Sequence, residues 1–223
     1  MIDFEAARRH MIDSQIRTNN VTDPRVLRAI GRVARERFVP AARSAIAYAD
    51  EDVPIGAFGD PARPRYLMEP MPFARLVQLA NVASSDLVLD VGCATGYASA
   101  VLAQLADSVV ALEADEGLAA TATRNLAEQA IDNVAVVTGL LEAGYPSEGP
   151  YDVIFLGGAV AGAPTGLFDQ LAEAGRLVAV VGEGLVGKAA VFTKHNGITS
   201  ERTVFDAAVP ILPGFEQRPT FVF

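Results

Sequence analysis

The sequence predicts a doubly wound, mostly parallel α/β sheet, with a helical cap before it and an antiparallel hairpin at its end. Three observations predict it. From Asp86 onward, short apolar runs (LVLDVG, SVVALE, VAVVTG, YDVIFLGG, GRLVAVVG) alternate with helical stretches or loops. Their hydrophobicity is continuous rather than alternating, as in parallel strands covered on both faces. The first run breaks into a loop with glycines at Gly92 and Gly96 and then becomes an alanine-rich helical pattern. That strand, turn and helix form the usual cradle for a nucleotide. Finally, KAAVFTKHNGITSERTVFDAAV reads as two strands joined around Asn196-Gly197, a strong hairpin signal.

The elements before the sheet follow from local pattern. EAARRHMIDSQIRT reads as an amphipathic helix with Ala7, Met11, Ile12 and Ile16 at helical spacing. Arg8, Arg9 and Arg17 are expected on its solvated face. A second helix is expected in VTDPRVLRAIGRV, with Thr22 or Asp23 as N-cap and Pro24 at the first helical position. AYADEDVPIGAFGDPARPRYLMEPMP is rich in Pro and Gly and is expected to be irregular, too polar for a core element. A long ordered loop of this kind lies over a site or belongs to one. FARLVQLANV returns to helical periodicity. Residues 1–80 are thus read as a cap and loop, and residues 81–223 as the α/β domain, together one compact unit.

Composition narrows the function. The chain has 223 residues, 51% of them hydrophobic and 20% charged, enough for a substantial core without staples. Cys93 is the single cysteine, which excludes an intramolecular disulfide, and no metal-site spacing occurs. The amino terminus is too charged for a secretory segment and no run is long enough to span a membrane, so a cytoplasmic protein is expected. A net charge of −9 argues against a nucleic-acid partner, which needs a positive footprint. His10 and His195 lie far apart without a motif, so neither a histidine-based triad nor a metal site is expected.

The glycine loop can be read for its ligand. A dinucleotide fingerprint starting at Gly92 wants its third glycine at position 97, where this chain has Tyr97. Gly92, Ala94 and Gly96 instead match the alternating small residues of S-adenosylmethionine (SAM) binders, where the backbone passes close to the cofactor. Asp90 suits the region of the cofactor's ammonium group. Glu113 lies 21 positions after Gly92 at the end of the next strand, followed by Ala114. A carboxylate there accepts bonds from both ribose hydroxyls and excludes a 2′-phosphate. A turn that merely needs small residues, beside a surface glutamate, is the alternative. Cys93 is expected to contribute its backbone while its side chain packs. Gly157 to Pro164, GGAVAGAP, follows the fourth strand at the sheet edge where ligands of such folds bind. Its glycines are read as admitting substrate, with a flexible loop as the alternative.

The chain also resembles the protein-L-isoaspartate O-methyltransferase family. The resemblance is carried by DPRVLRAIGRVARERFVP (Asp23 to Pro40), AYADEDVPIG, VLDVGCATGYASAVLA, VVALEAD, FDQLAEAGRLVAVVG and AAVPILPG. It implies a Rossmann-like, SAM-dependent enzyme that methylates the α-carboxylate of isoaspartyl residues, so that the ester collapses to a succinimide and the damaged protein is repaired. It implies a substrate loop within residues 1–80 and a SAM-binding domain in residues 81–223. Two positions depart from the family pattern. Where the substrate loop usually reads Ser-Gln-Pro, this chain has Met68, Glu69 and Pro70, so the hydroxyl tied to catalysis is missing. Where Gly-Asp-Gly usually follows the third strand, this chain has Gly139, Leu140 and Leu141. The adenine would then be held by apolar contact, with Glu142 as a substitute acid. A homologue that binds SAM but uses another acceptor, or none, is the alternative reading.

Overall fold

The computed structural model describes residues 2–56, 64–182 and 186–216. The chain opens with α1 (Phe4–Met11), capped by Asp3, whose side chain accepts the Ala6 N–H at 2.9 Å. The expected single helix then loosens into a π turn, Ile12–Ile16, and a 3-10 turn, Arg17–Asn19. The wider turn has a packing reason. It brings Met11 and Ile16, five residues apart, to the same buried face, where a straight α-helix would rotate one of them away.

Arg9 and Arg17 are exposed and pair with Glu5 and Asp13 one turn back. Arg8 corrects the sequence expectation. Its Nε donates to Tyr48 Oη at 3.0 Å, its Nη1 donates to the Gly31 carbonyl at 3.2 Å, and Glu36 lies at 3.8 Å. It therefore fastens α1 to α2 (Pro24–Arg32) and to the loop beyond, instead of facing water. Helix α2 starts as read, with Asp23 accepting the Arg25 N–H at 2.8 Å and Pro24 at the first helical position.

The Pro/Gly-rich stretch is more ordered than its composition suggests. Val53–Gly56 (β1) pairs antiparallel with Arg65–Leu67 (β2) in a small ribbon of its own. Val53, Ile55, Leu67 and Met68 are buried, which corrects the reading of this stretch as too polar for a core. Residues 57–63 of it lie outside the described residues. Arg35, wholly buried, stitches the stretch down. Its Nε donates to the Ala47 carbonyl at 2.6 Å and its Nη2 to the Met68 carbonyl at 2.7 Å. Its guanidinium also sits 4.9 Å from the Tyr97 ring centroid, a cation–π placement.

After α3 (Pro70–Ala80) comes the main sheet: β3 (Leu87–Val91), β4 (Ser108–Glu113), β5 (Val134–Thr138), β6 (Tyr151–Val160), β7 (Leu171–Val181), β8 (Gly187–His195) and β9 (Ile198–Ala207). Its order is β5-β4-β3-β6-β7-β8-β9. The strands from β5 to β7 are parallel, and β8 and β9 form the antiparallel edge. The hairpin turn sits at Asn196 and Gly197, with φ of 51° and 75°, the paired positive values of a type I′ turn. Helices α3, α4 (Tyr97–Ala103) and α5 (Glu116–Glu128) cover one face. The other face is closed by 3-10 turns at Leu141–Ala143 and Thr165–Gln170 and by Leu212.

One apolar cluster runs from Met11 and Ile16 in the cap through Phe38, Phe73 and Tyr97 to Phe155 and Val178 in the sheet. Phe73 stands 5.2 Å from the Tyr97 centroid and 6.0 Å from that of Phe155; such pairs contribute about 0.5–1.5 kcal/mol each beyond their burial. The cap and the sheet thus share one core, and the glycine loop sits at their junction.

Candidate active site

Strand β3 ends at Val91, and the chain must turn at once to start α4. Gly92 (φ +79°), Ala94 (φ +54°) and Gly96 (φ +95°) make that turn, all in the left-handed region where side chains are costly. The loop is pinned by the Gly92 and Cys93 N–H groups, which donate to the Leu112 carbonyl at 2.9 and 3.1 Å. Cys93 is buried and burial pushes its thiol up, which fits a packing side chain and gives no reactive thiolate.

Glu113 closes β4 beside this loop and is wholly buried. Its Oε2 accepts the Ala94 N–H at 2.8 Å, and its Oε1 accepts the N–H groups of Ala114 at 2.9 Å and Asp115 at 3.2 Å. The carboxylate and the loop are therefore one hydrogen-bonded unit, and the reading of a surface glutamate falls. Asp90, also wholly buried, accepts the Ser99 hydroxyl at 2.5 Å on Oδ2, while its Oδ1 has no partner. Burial pushes its carboxyl up to about 7, helped by the nearby Glu113 and opposed by Ser99 and Arg65. The structure thus brings Asp90, Gly92, Cys93, Ala94, Gly96, Glu113 and Ala114 together. Leu140, after β5, stands apart from this buried group at 66% exposed, while its neighbour Leu141 is buried. The Glu142 carboxylate lies against Gly214 of the C-terminal segment.

Two residues that sequence reasoning missed complete the site. Arg65, in β2, donates from Nη1 to Glu113 Oε1 at 2.7 Å and from Nη2 to Oε2 at 3.0 Å. It also reaches the Gly92 carbonyl at 3.3 Å. Leu212 lies over the loop so closely that a Cβ built on Gly92 would meet its Cδ2 at 2.7 Å. Its N–H donates to the Ala159 carbonyl, and the Ala159 N–H donates to Pro210, both at 2.9 Å. The GGAVAGAP reading is corrected for its first half. Residues 157–160 belong to β6, and Gly157 and Gly158 admit the protein's own chain, whereas Gly162, beyond the strand, is exposed with open space around it. A Cβ on Gly157 would meet the Gly92 carbonyl at 2.9 Å, and one on Gly158 the Pro210 carbonyl at 2.9 Å.

Met68 is buried at 6% exposure, apolar and within the core. Glu69 is half-buried, donates its N–H to Asp52 Oδ1 at 2.8 Å, and its carboxyl is pushed up by burial and by Asp50 and Asp52. Pro70 begins α3. His195 is exposed in the hairpin, 3.4 Å from Glu173. Among the described residues, no group of His, Cys, Asp and Glu could hold a metal ion, and no helix is long and apolar enough to cross a membrane.

Comparison with known proteins agrees with this architecture. The profile of the family described as protein-L-isoaspartate(D-aspartate) O-methyltransferase (PCMT) matches residues 6–211. A protein-L-isoaspartate O-methyltransferase from Koribacter versatilis is 37% identical over 203 residues, covering 91% of this chain and 88% of the relative. One from Roseiflexus castenholzii is 35% identical over 215 residues, 96% and 95% of the two chains. Among solved structures, a protein-L-isoaspartate O-methyltransferase superposes with a TM-score of 0.79 at 24% identity, over 93% of this chain and 66% of that one. A Plasmodium falciparum structure described as a PCMT in complex with S-adenosyl-L-homocysteine gives 0.76 at 22% identity, over 95% and 99%. At these identities the superpositions speak for the fold, and the sequence matches speak for descent. The chain belongs to the protein-L-isoaspartate(D-aspartate) O-methyltransferase family.

Proposed function

We propose that this protein is a SAM-dependent O-methyltransferase that esterifies the α-carboxylate of isoaspartyl residues in damaged proteins, as the name of its family describes. The observation that carries the reading is the buried unit of the Gly92–Gly96 loop and Glu113, in a chain that matches the family from residue 6 to residue 211. Asp90, with one buried oxygen lacking a partner, fits an ammonium group. The backbone of Gly92, Cys93, Ala94 and Gly96 and the Glu113–Ala114 corner fit a nucleoside. The resemblance assigns the adenine to Leu140, which is exposed after β5.

When bound, SAM supplies a methyl group already activated on a sulfonium. The residues of this chain orient and exclude water, and they need not take a proton, because the acceptor carboxylate is ionised at neutral pH. The acceptor side falls to residues 1–80, through the β1–β2 ribbon and the Met68–Pro70 turn. The cofactor side falls to residues 81–223. Met68 supplies no hydroxyl. Glu69 lies beside Asp50 and Asp52, and its carboxyl is pushed up by burial first and then by those two acids. The expected setting is cytoplasmic, with damaged proteins as acceptors and no nucleic-acid partner.

Transfer of labelled methyl from SAM to an isoaspartyl peptide, against the same peptide with normal aspartate, tests the reading. Selective labelling of the isoaspartyl form is expected. A second reading, a SAM binder with another acceptor or none, is favoured by the apolar Met68 at the acceptor turn. Absence of labelling in protein that binds SAM would replace the first reading with the second.

A further inference from the structure

Glu113 is saturated in this structure. A carboxylate offers about four lone-pair sites, and here it receives three backbone N–H groups and both ends of the Arg65 guanidinium. A ribose diol has no free acceptor on it. The backbone donors cannot yield, because the loop is pinned to the Leu112 carbonyl on one side and the β4 corner on the other. The guanidinium can. Its side chain is not tied into the β3–β4 corner as those donors are: it stands on a three-residue strand that, among the described residues, pairs with β1 alone. The space beside it is closed as well. The cavity lined by Pro64, Arg65, Tyr66, Met68, Gly157 and Leu212 holds about 20 Å³, where ligand clefts run to roughly 300–1,000 Å³.

We propose that Arg65 is the latch of the nucleoside site: its guanidinium and the ribose hydroxyls compete for the same two oxygens of Glu113, so the cofactor enters only when β2 carries Arg65 away. This makes Arg65 a positioning residue that lowers cofactor affinity, the reverse of what a buried arginine beside a ligand site ordinarily does. A competent state that is only fractionally populated divides the intrinsic affinity by that fraction. Removing the side chain returns the difference. Glu113 keeps three backbone N–H donors in an Arg65→Ala protein, so its carboxylate is not left unpaired.

The proposal rests on the methyl-transfer reading for the identity of the ligand. Calorimetric titration of S-adenosyl-L-homocysteine into the full chain tests it, with Arg65→Ala and Arg65→Gln beside the wild type and circular dichroism to establish that each is folded. Binding at least tenfold tighter in Arg65→Ala is expected, with Arg65→Gln between it and the wild type and with faster association in stopped flow. Equal or weaker binding in the folded variants overturns the latch. Should alanine not fold, the glutamine variant decides by the same criterion. The two ideas fail differently. Equal binding by wild type and variant removes the latch and leaves the methyl-transfer reading, whereas no binding by either removes both.

Discussion

Replacing Asp90 by asparagine tests the electrostatics of the site through stability alone. In the native protein this wholly buried carboxyl is pushed up to about 7, first by burial, against an ordinary value of 3.8. The native state therefore keeps a proton that the unfolded chain has released. Stability from this group is complete below pH ~4 and falls as pH rises to about 7, because the native state binds more protons throughout that window. With 1.36 kcal/mol per pH unit, the full loss is at most about 4 kcal/mol for the pKa change given. Asparagine keeps an acceptor for the Ser99 hydroxyl and has no proton to lose. Urea unfolding of both proteins from pH 4 to pH 8.5 reads the difference. The variant should match the wild type at the acid end and exceed it by up to about 4 kcal/mol above pH 7. Asp52 and Glu69, also pushed up, and Asp23, held down, act alike in both proteins and cancel. Parallel curves would refute the account of Asp90 as a carboxyl that stays protonated to near-neutral pH.

Other perturbations probe the close packing around the loop. Gly157→Ala puts a Cβ 2.9 Å from the Gly92 carbonyl, a backbone atom that cannot rotate aside. It should cost about 1–3 kcal/mol in thermal or urea unfolding and weaken S-adenosyl-L-homocysteine binding by pushing the loop out of place. Met68→Ser with Glu69→Gln puts a hydroxyl and an amide at the turn proposed to meet the acceptor and should raise isoaspartyl methylation per folded molecule. Because Met68 is buried, the same change should cost about 2–5 kcal/mol of stability. Methyl transfer must therefore be measured at a temperature where unfolding curves show the variant intact.

What the sequence made legible was whatever depends on local pattern. The continuous apolar runs became the parallel strands, Asn196-Gly197 became the type I′ turn, and Pro24 after Asp23 began α2. Gly92, Ala94, Gly96 and Glu113 were legible as neighbours because the backbone geometry of a strand–turn–helix unit dictates small residues at fixed spacing. What was not legible depends on pairing across distance. Nothing in the residues around Arg65 tells that it spans 48 positions to Glu113. Arg8 likewise sits on a helix whose charge pattern reads as solvated, and its partners come from Tyr48 and Gly31. The π turn escaped because residues 11 and 16 share a face only if the helix widens, a choice made by the core and not by propensity. The β1–β2 ribbon hid inside a composition that spells loop, since its burial comes from the cap and Arg35 beneath it.

These buried charges are coupled, and the coupling gives a test of the latch that needs no ligand. Arg65 and Asp90 both surround the loop. The Arg65 guanidinium holds the Asp90 carboxyl down, while burial and the Glu113 carboxylate push it up. Taking the guanidinium away leaves Glu113 to act on Asp90 uncompensated, so the Asp90 carboxyl must rise further and the loss of stability must move to higher pH. The comparison is Arg65→Ala against Arg65→Ala with Asp90→Asn, set beside wild type against Asp90→Asn, each by urea midpoint across pH. An upward displacement of the Asp90-dependent window in the Arg65→Ala background is the expected result. An unmoved window would mean that in solution Arg65 does not rest on Glu113, and the competition for its oxygens would have no basis.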